Sequence, residues 1–334
     1  MTNAPIELSS KYARTSMPLT KFCQSTRLKA QLQNLISILP EELSYTYYYW
    51  LQRNFGNLRD TKLSPVSRLK AGIETCKKIE QLGASPVDSV FLEIGTGRRI
   101  NTPLAFWLLG AKQIFTIDLN PYLKEELVKA DLNYIINNKN EIENLFEDKI
   151  HYVRLDSLID FVESNQYTLK DLLAFLNISY VAPGDAQSLD ISSQSIDFHT
   201  SYTVLEHISP EIIKAIIREG KRVLRSDGLF VHKIDYTDHF SHSDKSISSI
   251  NFLQFSDKEW QKVAGNRYMY MNRLRHDDLL RIFSDSQAEI LLEENTWDDS
   301  LLKILESIGL DQVYAHKSKE VLKITSSWIV ASKL

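Results

Sequence analysis

The stretch "LEIGTGRR" holds three residues whose types suit a single role, the opening of a nucleotide pocket. They are Glu93, Gly95 and Gly97, in the pattern E-x-G-x-G. Two glycines at alternate positions let the backbone turn sharply and let a ligand approach it closely. The acid ahead of them, at the end of an apolar run, can orient the loop or meet a ligand's ammonium group. About 20 residues on, Asp118 closes the next apolar run, "QIFTID", where a carboxylate can accept hydrogen bonds from both hydroxyls of a ribose. The dinucleotide fingerprint G-x-G-x-x-G requires a third glycine for helix–strand packing, and that position is Ile100. A nicotinamide dinucleotide is therefore disfavoured.

Histidines supply a second constellation. Five of the eight, His199, His207, His232, His239 and His242, fall close to the expected pocket. Imidazole is suited to take a proton near neutral pH. "HKIDYTDHFSH" sets His232 and Asp235 on one run, with His239 and His242 just beyond. A His-Asp-His cluster can hold a metal, and any of these rings can equally tie a loop by a hydrogen bond; no metal is assigned. "GNRYMYMNRLRHDD" interleaves Arg267, Arg273 and Arg275 with aromatic residues. It reads as a solvated helix face or as a clamp for an anionic or sugar-like group, since a guanidinium forks carboxylates and phosphates.

The elements that must position these residues follow from hydrophobic rhythm. From Val90 onward, "VFLEIG", "QIFTID", "ISYVAPGD", "SIDFHTSY" and "LFVHKID" are short apolar runs separated by helical stretches. That alternation predicts a parallel sheet with helices on both faces. Ligands bind at the carboxyl ends of such strands, where all five polar termini fall. "EGKRVLRSDGLFVHKID" predicts a helix, a tight turn at Asp227-Gly228 and the fifth strand. "AEILLEENTWDD" and "VLKITSSWIVASKL" are two late strands.

Residues 1–88 form a helical N-terminal extension or lid in this reading, and 89–334 the main domain. "QLQNLISILPEEL" and "VSRLKAGIETCKKIEQLG" place apolar residues three and four apart, and Gly83 caps the second stretch. Between them "SYTYYYWLQRNFGNLRD" is unusually aromatic, a packing surface or a lid over a substrate. Insertions are expected at about 122–176, with two or three helices, and at about 236–275.

Over about residues 88–235 and again near 276–334, the chain resembles the class I S-adenosylmethionine-dependent methyltransferases. In that family "LEIGTG" corresponds to the cofactor loop and Asp118 to the ribose-binding acid. Gly184-Asp185-Ala186 corresponds to the loop whose Asp meets the adenine amino group and whose next amide meets a ring nitrogen. "VLEHI" corresponds to the segment beside cofactor and substrate. The resemblance implies an α/β, doubly wound, seven-stranded, mostly parallel sheet that ends in an antiparallel pair. It implies S-adenosyl-L-methionine as cofactor, with Glu93, Gly95, Gly97, Asp118, Asp185 and Ala186 around it. One departure is Arg99, which stands where the family often has a third glycine and makes the loop bulkier.

The expected activity is methyl transfer to oxygen of a small-molecule or glycan-type acceptor. A hydroxyl acceptor usually needs a base; His239 is the first choice and His207 the second. His232, Asp235, Arg273 and Arg275 are the candidate substrate contacts. Transfer to nitrogen, or to a protein or nucleic acid, is the alternative within the class, and a non-catalytic cofactor-binding partner protein the alternative outside it.

Composition sets outer bounds. The 334 residues are 43% apolar and 25% charged, ordinary for a soluble globular protein. A formal net charge of -4 gives no global basic field for nucleic acid or an anionic membrane. The two cysteines, Cys23 and Cys76, build neither a disulfide framework nor a zinc knuckle, which fits a reducing compartment. No apolar run approaches the roughly 18 residues of a membrane span. The N-terminus lacks a signal-peptide core, so a cytoplasmic location is expected. The terminal "SKL" matches a peroxisomal address, but reads better as the end of a final strand.

Overall fold

Val90–Ile94 (β1) is buried at all five residues, as a strand covered on both faces must be. In this computed structural model, which describes residues 24–56, 58–59, 62–164 and 166–333, β1 lies near the middle of a seven-stranded sheet. The other strands are Gln113–Ile117 (β2), Ile178–Val181 (β3), Ile196–Tyr202 (β4), Leu224–Asp235 (β5), Ala288–Trp297 (β6) and Ile324–Lys333 (β7). Their order is β3-β2-β1-β4-β5-β7-β6. β1 to β5 pair in parallel, and β7 enters antiparallel between β5 and β6. The expected sheet and its closing antiparallel pair are both present.

Side-chain alternation sends Phe91 and Val231 into one core layer and Leu92 and Phe230 into the other; in β4 the irregularity between Ile196 and Phe198 puts Phe198 in the first layer and Ile196 in the second. The first layer is covered by Val66–Gln81 (α3) and Asn101–Leu108 (α4), and by Glu125–Asn137 (α5), Lys139–Phe146 (α6), Tyr152–Ser164 (α7) and Leu169–Phe175 (α8). Four α-helices, rather than two or three, thus fill the stretch 122–176. The second layer is covered by Pro210–Val223 (α9) and His276–Asp285 (α11). In α9 the buried positions Ile213, Ile216, Ile217, Gly220 and Val223 make one stripe, the 3.6-residue period of a helix laid on a sheet. Pro210 opens it after Ser209, where a missing N–H costs nothing.

The N-terminal part contains Gln24–Ser37 (α1), Glu41–Asn54 (α2) and α3. Leu69, Ile73, Cys76 and Ile79 of α3 belong to the main core, and Gly83 follows α3 at φ 80°. A third apolar cluster joins Phe240, Phe252 and Trp260 to Met271, Leu301 and Tyr314, with Ala30 of α1 against it. The stretch 236–275, which includes Asp257–Ala264 (α10), therefore carries a core of its own. Leu301–Ser307 (α12) and Lys319–Leu322 (α13) complete that side.

The tight turn expected at Asp227-Gly228 is absent. β5 runs continuously, and its register against β4 jumps from Ile196↔Leu224 to Phe198↔Leu229. The extra β5 residues loop out as an irregularity held by Arg225 on Asp197, 2.7 Å apart. Cys76 is a buried thiol, while Cys23 lies outside the described residues, as does Leu334 of the terminal tripeptide. Among the described residues no helix is long and apolar enough to cross a membrane.

Candidate functional site

A cavity of about 870 Å³ opens at the carboxyl ends of β1, β2 and β4. The E-x-G-x-G loop forms its floor. Gly95 has φ 91°, and a Cβ there would meet Val204 Cγ2 at 2.5 Å, so only glycine fits the close approach of the β4 loop. Gly97 has φ 69°, and no heavy atom lies within 4 Å of where its Cβ would be. That space belongs to the cavity.

Asp118 ties the loops together. Its Oδ2 accepts from Gly97 N at 2.8 Å and its Oδ1 from Asn120 N at 3.1 Å. Gly184 N donates to the Asp118 carbonyl at 2.9 Å. Burial raises the Asp118 carboxyl, and the two backbone donors partly oppose it. Glu93 is buried deeper, accepts from Thr116 Oγ1 at 2.6 Å and is pushed up to about 7 by burial. Asp185 and Ala186 line the same cavity. Asp185 Oδ1 takes Gln187 N at 2.9 Å, which leaves its other oxygen available. All six residues expected around the nucleotide thus border one space. Arg99 also borders it, but its guanidinium donates to Ser64 O and pairs with Asp131, 3.3 and 3.2 Å away. The bulk that replaces the third glycine braces the loop against α5.

The histidines separate into two groups. His207 opens onto the cavity, and its Nδ1 lies 2.8 Å from Tyr270 O, which fixes Nδ1 as the protonated nitrogen. His239 stacks behind it, ring centroids 4.8 Å apart, and His242 lies 4.9 Å beyond that. Asp235 sits between the last two, 3.6 Å from Nε2 of each. Burial pushes the Asp235 carboxyl up, but bonds from Thr237 and the neighbouring His239 outweigh it and hold it below the ordinary range. Of the two rings considered as base, His207 borders the cavity, because the 3₁₀ turn Leu205–His207 projects it there, and His239 lies behind it.

His232, expected as a substrate contact, does not border the cavity. It is 1% exposed, shares a 2.7 Å hydrogen bond with Ser201 and packs between His199 and Phe283. Burial lowers its imidazole well below the usual value. Arg273 and Arg275 are likewise not available to an acceptor. Arg273 donates to Phe255 O at 2.7 Å and pairs with Asp257. Arg275, fully buried, donates to Tyr236 O, Leu322 O and Ile324 O at 2.7, 2.9 and 2.6 Å. Both staple the insertion to the sheet.

The arginines that do border the cavity are Arg68, Arg98, Arg99 and Arg267. Arg98 lies over the rings of Tyr49 and Tyr122 at 4.9 and 5.3 Å, and Arg267 over Tyr45 at 5.5 Å. The aromatic helix α2 therefore props the wall without lining it. Among the described residues, only Leu58 and Arg68 do so from the N-terminal part, and Arg267 and Tyr270 from the insertion. Arg98 is legible as the residue after the glycine loop. Glu206, which no sequence signal sets apart from His207 beside it, is 3% exposed and raised well above the ordinary carboxyl value by burial.

Among solved structures, the chain is similar to a geranyl diphosphate methyltransferase in complex with S-adenosylmethionine (TM-score 0.43, 11% identity, 79% of this chain and 85% of that one). It is similar to geranyl diphosphate C-methyltransferase from Streptomyces coelicolor A3(2) (0.42, 13%, 79% and 80%). A methyltransferase from Methanosarcina mazei is a further likeness (0.40, 17%, 74% and 93%). Among curated proteins none matches the chain in sequence. Residues 158–232 match the family model described as "Methyltransferase domain". The matched residues run from α7 through β3, β4 and α9 into β5. They therefore carry the Gly184-Asp185-Ala186 loop and the Glu206-His207 turn, two of the cavity's walls.

Proposed function

We propose that this chain is a class I S-adenosylmethionine-dependent methyltransferase that transfers a methyl group to an oxygen of a small acceptor that is anionic or sugar-like. One observation carries the reading: a single cavity runs from the Gly95-Gly97 loop and Asp118 to His207, Arg98 and Arg267. Its volume, about 870 Å³, lies toward the upper end of the range for small-molecule sites, roughly 300–1,000 Å³. That supports room for a nucleoside and a second reactant.

The residues fit a nucleoside sulfonium. Asp118 is fixed by two backbone N–H donors and can accept from a ribose diol. Gly97 leaves open space for close approach. Glu93 supplies a buried acid for the cationic end, and Asp185 with the Ala186 amide faces the place of the base. The sulfonium supplies an already activated methyl group. This chain's own work is alignment and exclusion of water. His207 is the side chain best placed to meet the acceptor, with His239 behind it.

Calorimetry should give heat with S-adenosylmethionine and S-adenosylhomocysteine. NAD binding of comparable affinity would sink the assignment. Labelled donor, incubated with fractionated cell extract, should then label small anionic or hydroxylated metabolites. Label that appears only on macromolecules would replace the acceptor proposed here.

A further inference from the structure

Glu206 lies in the 3₁₀ turn after β4, is 3% exposed, and receives no side-chain donor on either carboxylate oxygen; the backbone N–H groups of Glu206 and Asp235 only partly offset the burial that raises its carboxyl well above the ordinary value. A carboxyl buried without a partner costs several kcal/mol unless something compensates it. Arg68 acts on it only from a distance. His239 presents a second under-satisfied group: its Nε2 is buried, and its one polar neighbour, Asp235, stands 3.6 Å away, too far for a full hydrogen bond. His207 is the third member. Its Nδ1 is engaged by Tyr270 O at 2.8 Å, which leaves Nε2 as its available donor. One atom from each of Glu206, His207 and His239 lies within 4.8 Å of the others. Ligand atoms about 2.1 Å from a tetrahedral ion lie roughly 3.4 Å from one another, so rotation of these side chains toward a common point closes the set.

We propose that Glu206, His207 and His239 form a binding site for one divalent transition-metal cation in the wall of the cavity. The arrangement has the parts such a site needs. Two imidazoles and one carboxylate suit zinc, iron or manganese better than magnesium or calcium. The bond from His207 to a backbone carbonyl is the outer contact that metal-bound histidines usually make. Three protein ligands leave a coordination position open, and His207 already borders the cavity. On the methyl-transfer reading, an acceptor oxygen is the group that would take that position and so lose its proton more readily. The metal assignment itself does not depend on that reading. Asp235, His239 and His242 form a rival triad around the same ring. It is less suited, because His242 Nε2 already bonds Thr237 Oγ1 at 2.8 Å and Asp235 accepts two bonds from Thr237.

The full chain, stripped with chelator and dialysed against Zn²⁺, Mn²⁺ or Mg²⁺, is assayed by elemental mass spectrometry. It should retain about one equivalent of Zn²⁺ or Mn²⁺ and little Mg²⁺. Glu206→Gln and His239→Ala should each weaken retention roughly tenfold or more, while S-adenosylhomocysteine affinity, read by calorimetry, reports an intact pocket. Should Glu206→Gln fail to fold, His239→Ala and His207→Ala decide. His242→Ala should keep the metal. No retained Zn²⁺ or Mn²⁺, or retention unaffected by the variants, overturns the proposal. Loss in His242→Ala with retention in Glu206→Gln gives the ion to the rival triad and overturns it too. Failure of the methyltransferase reading would appear separately, as absent S-adenosylhomocysteine binding.

Discussion

Asp118 braces a loop and, on the proposed function, also meets the ribose. A carboxylate that receives Gly97 N and Asn120 N on its two oxygens still has lone pairs for ribose hydroxyls. Replacing it removes both functions. Asp118→Ala should weaken S-adenosylhomocysteine by about 1.5–3 kcal/mol, the range for hydrogen bonds to a charged group, or roughly tenfold to a hundredfold by calorimetry. It should also lower stability by about 1 kcal/mol in urea, because two backbone donors lose their acceptor. Unchanged affinity with reduced stability would leave Asp118 a loop brace alone. Single residues of this kind are the most legible in the sequence, since a strand-end acid and a glycine pair announce a local geometry. Arg273 and Arg275 show the opposite. A guanidinium reaches far from its Cα, and whether it finds solvent, ligand or a set of carbonyls depends on segments distant in the chain. For Arg275 those are Tyr236, Leu322 and Ile324.

Helix α2 is the element on which acceptor binding should hinge. Its Tyr45 donates to Asn120 at 2.9 Å, its Tyr48 stacks on Tyr268 at 3.9 Å, and its Tyr49 lies under Arg98. None of these rings touches the Gly95-Gly97 loop through a hydrogen bond, so cofactor and acceptor contacts are separable. Tyr49→Ala should free Arg98 from its aromatic partner, an interaction of roughly 0.5–2 kcal/mol. The acceptor KM should rise severalfold, while S-adenosylhomocysteine affinity stays within about twofold. Equal loss of both would make α2 a structural support for the whole site. The aromatic run stands out in the sequence as wall or lid. Its actual place, one layer behind Arg98 and Tyr122, required the fold.

At the scale of the molecule, the sheet buries two histidines that face each other across β4 and β5. His199 is fully buried, neither of its ring nitrogens has a partner, and burial pushes it down to about 4. His232, whose ring centroid is 5.3 Å away, is lowered by burial and by that neighbour. The unfolded chain protonates near 6.5, and the folded chain resists until much lower pH. Stability is therefore complete above about 6.5 and drains away as pH falls toward 4. His199 alone should withdraw roughly 2 kcal/mol by pH 5. Urea titrations at pH 7.5 and 5 should show this loss, and His199→Leu should reduce it. Identical losses in the variant would place the acid sensitivity elsewhere.

What the chain determined by itself was whatever rests on near neighbours in sequence. The alternation of strand and helix, the sharp Gly95-Gly97 turn, Asp118 at the end of β2 and the stripe of α9 each follow from side chains a few residues apart. The tertiary structure alone decided which side of a doubly covered sheet counts as a site. In β5 both faces are buried, so parity could not separate His232, inside the core, from Asp235 three residues on at the rim. It alone decided that Arg98 and Arg267 border the cavity while Arg273 and Arg275 staple the insertion. It also brought Glu206 and His207 from the β4 turn beside His239 from beyond β5. That meeting depends on two strand ends being neighbours in the sheet, a relation that more than thirty intervening residues leave unwritten in any local pattern.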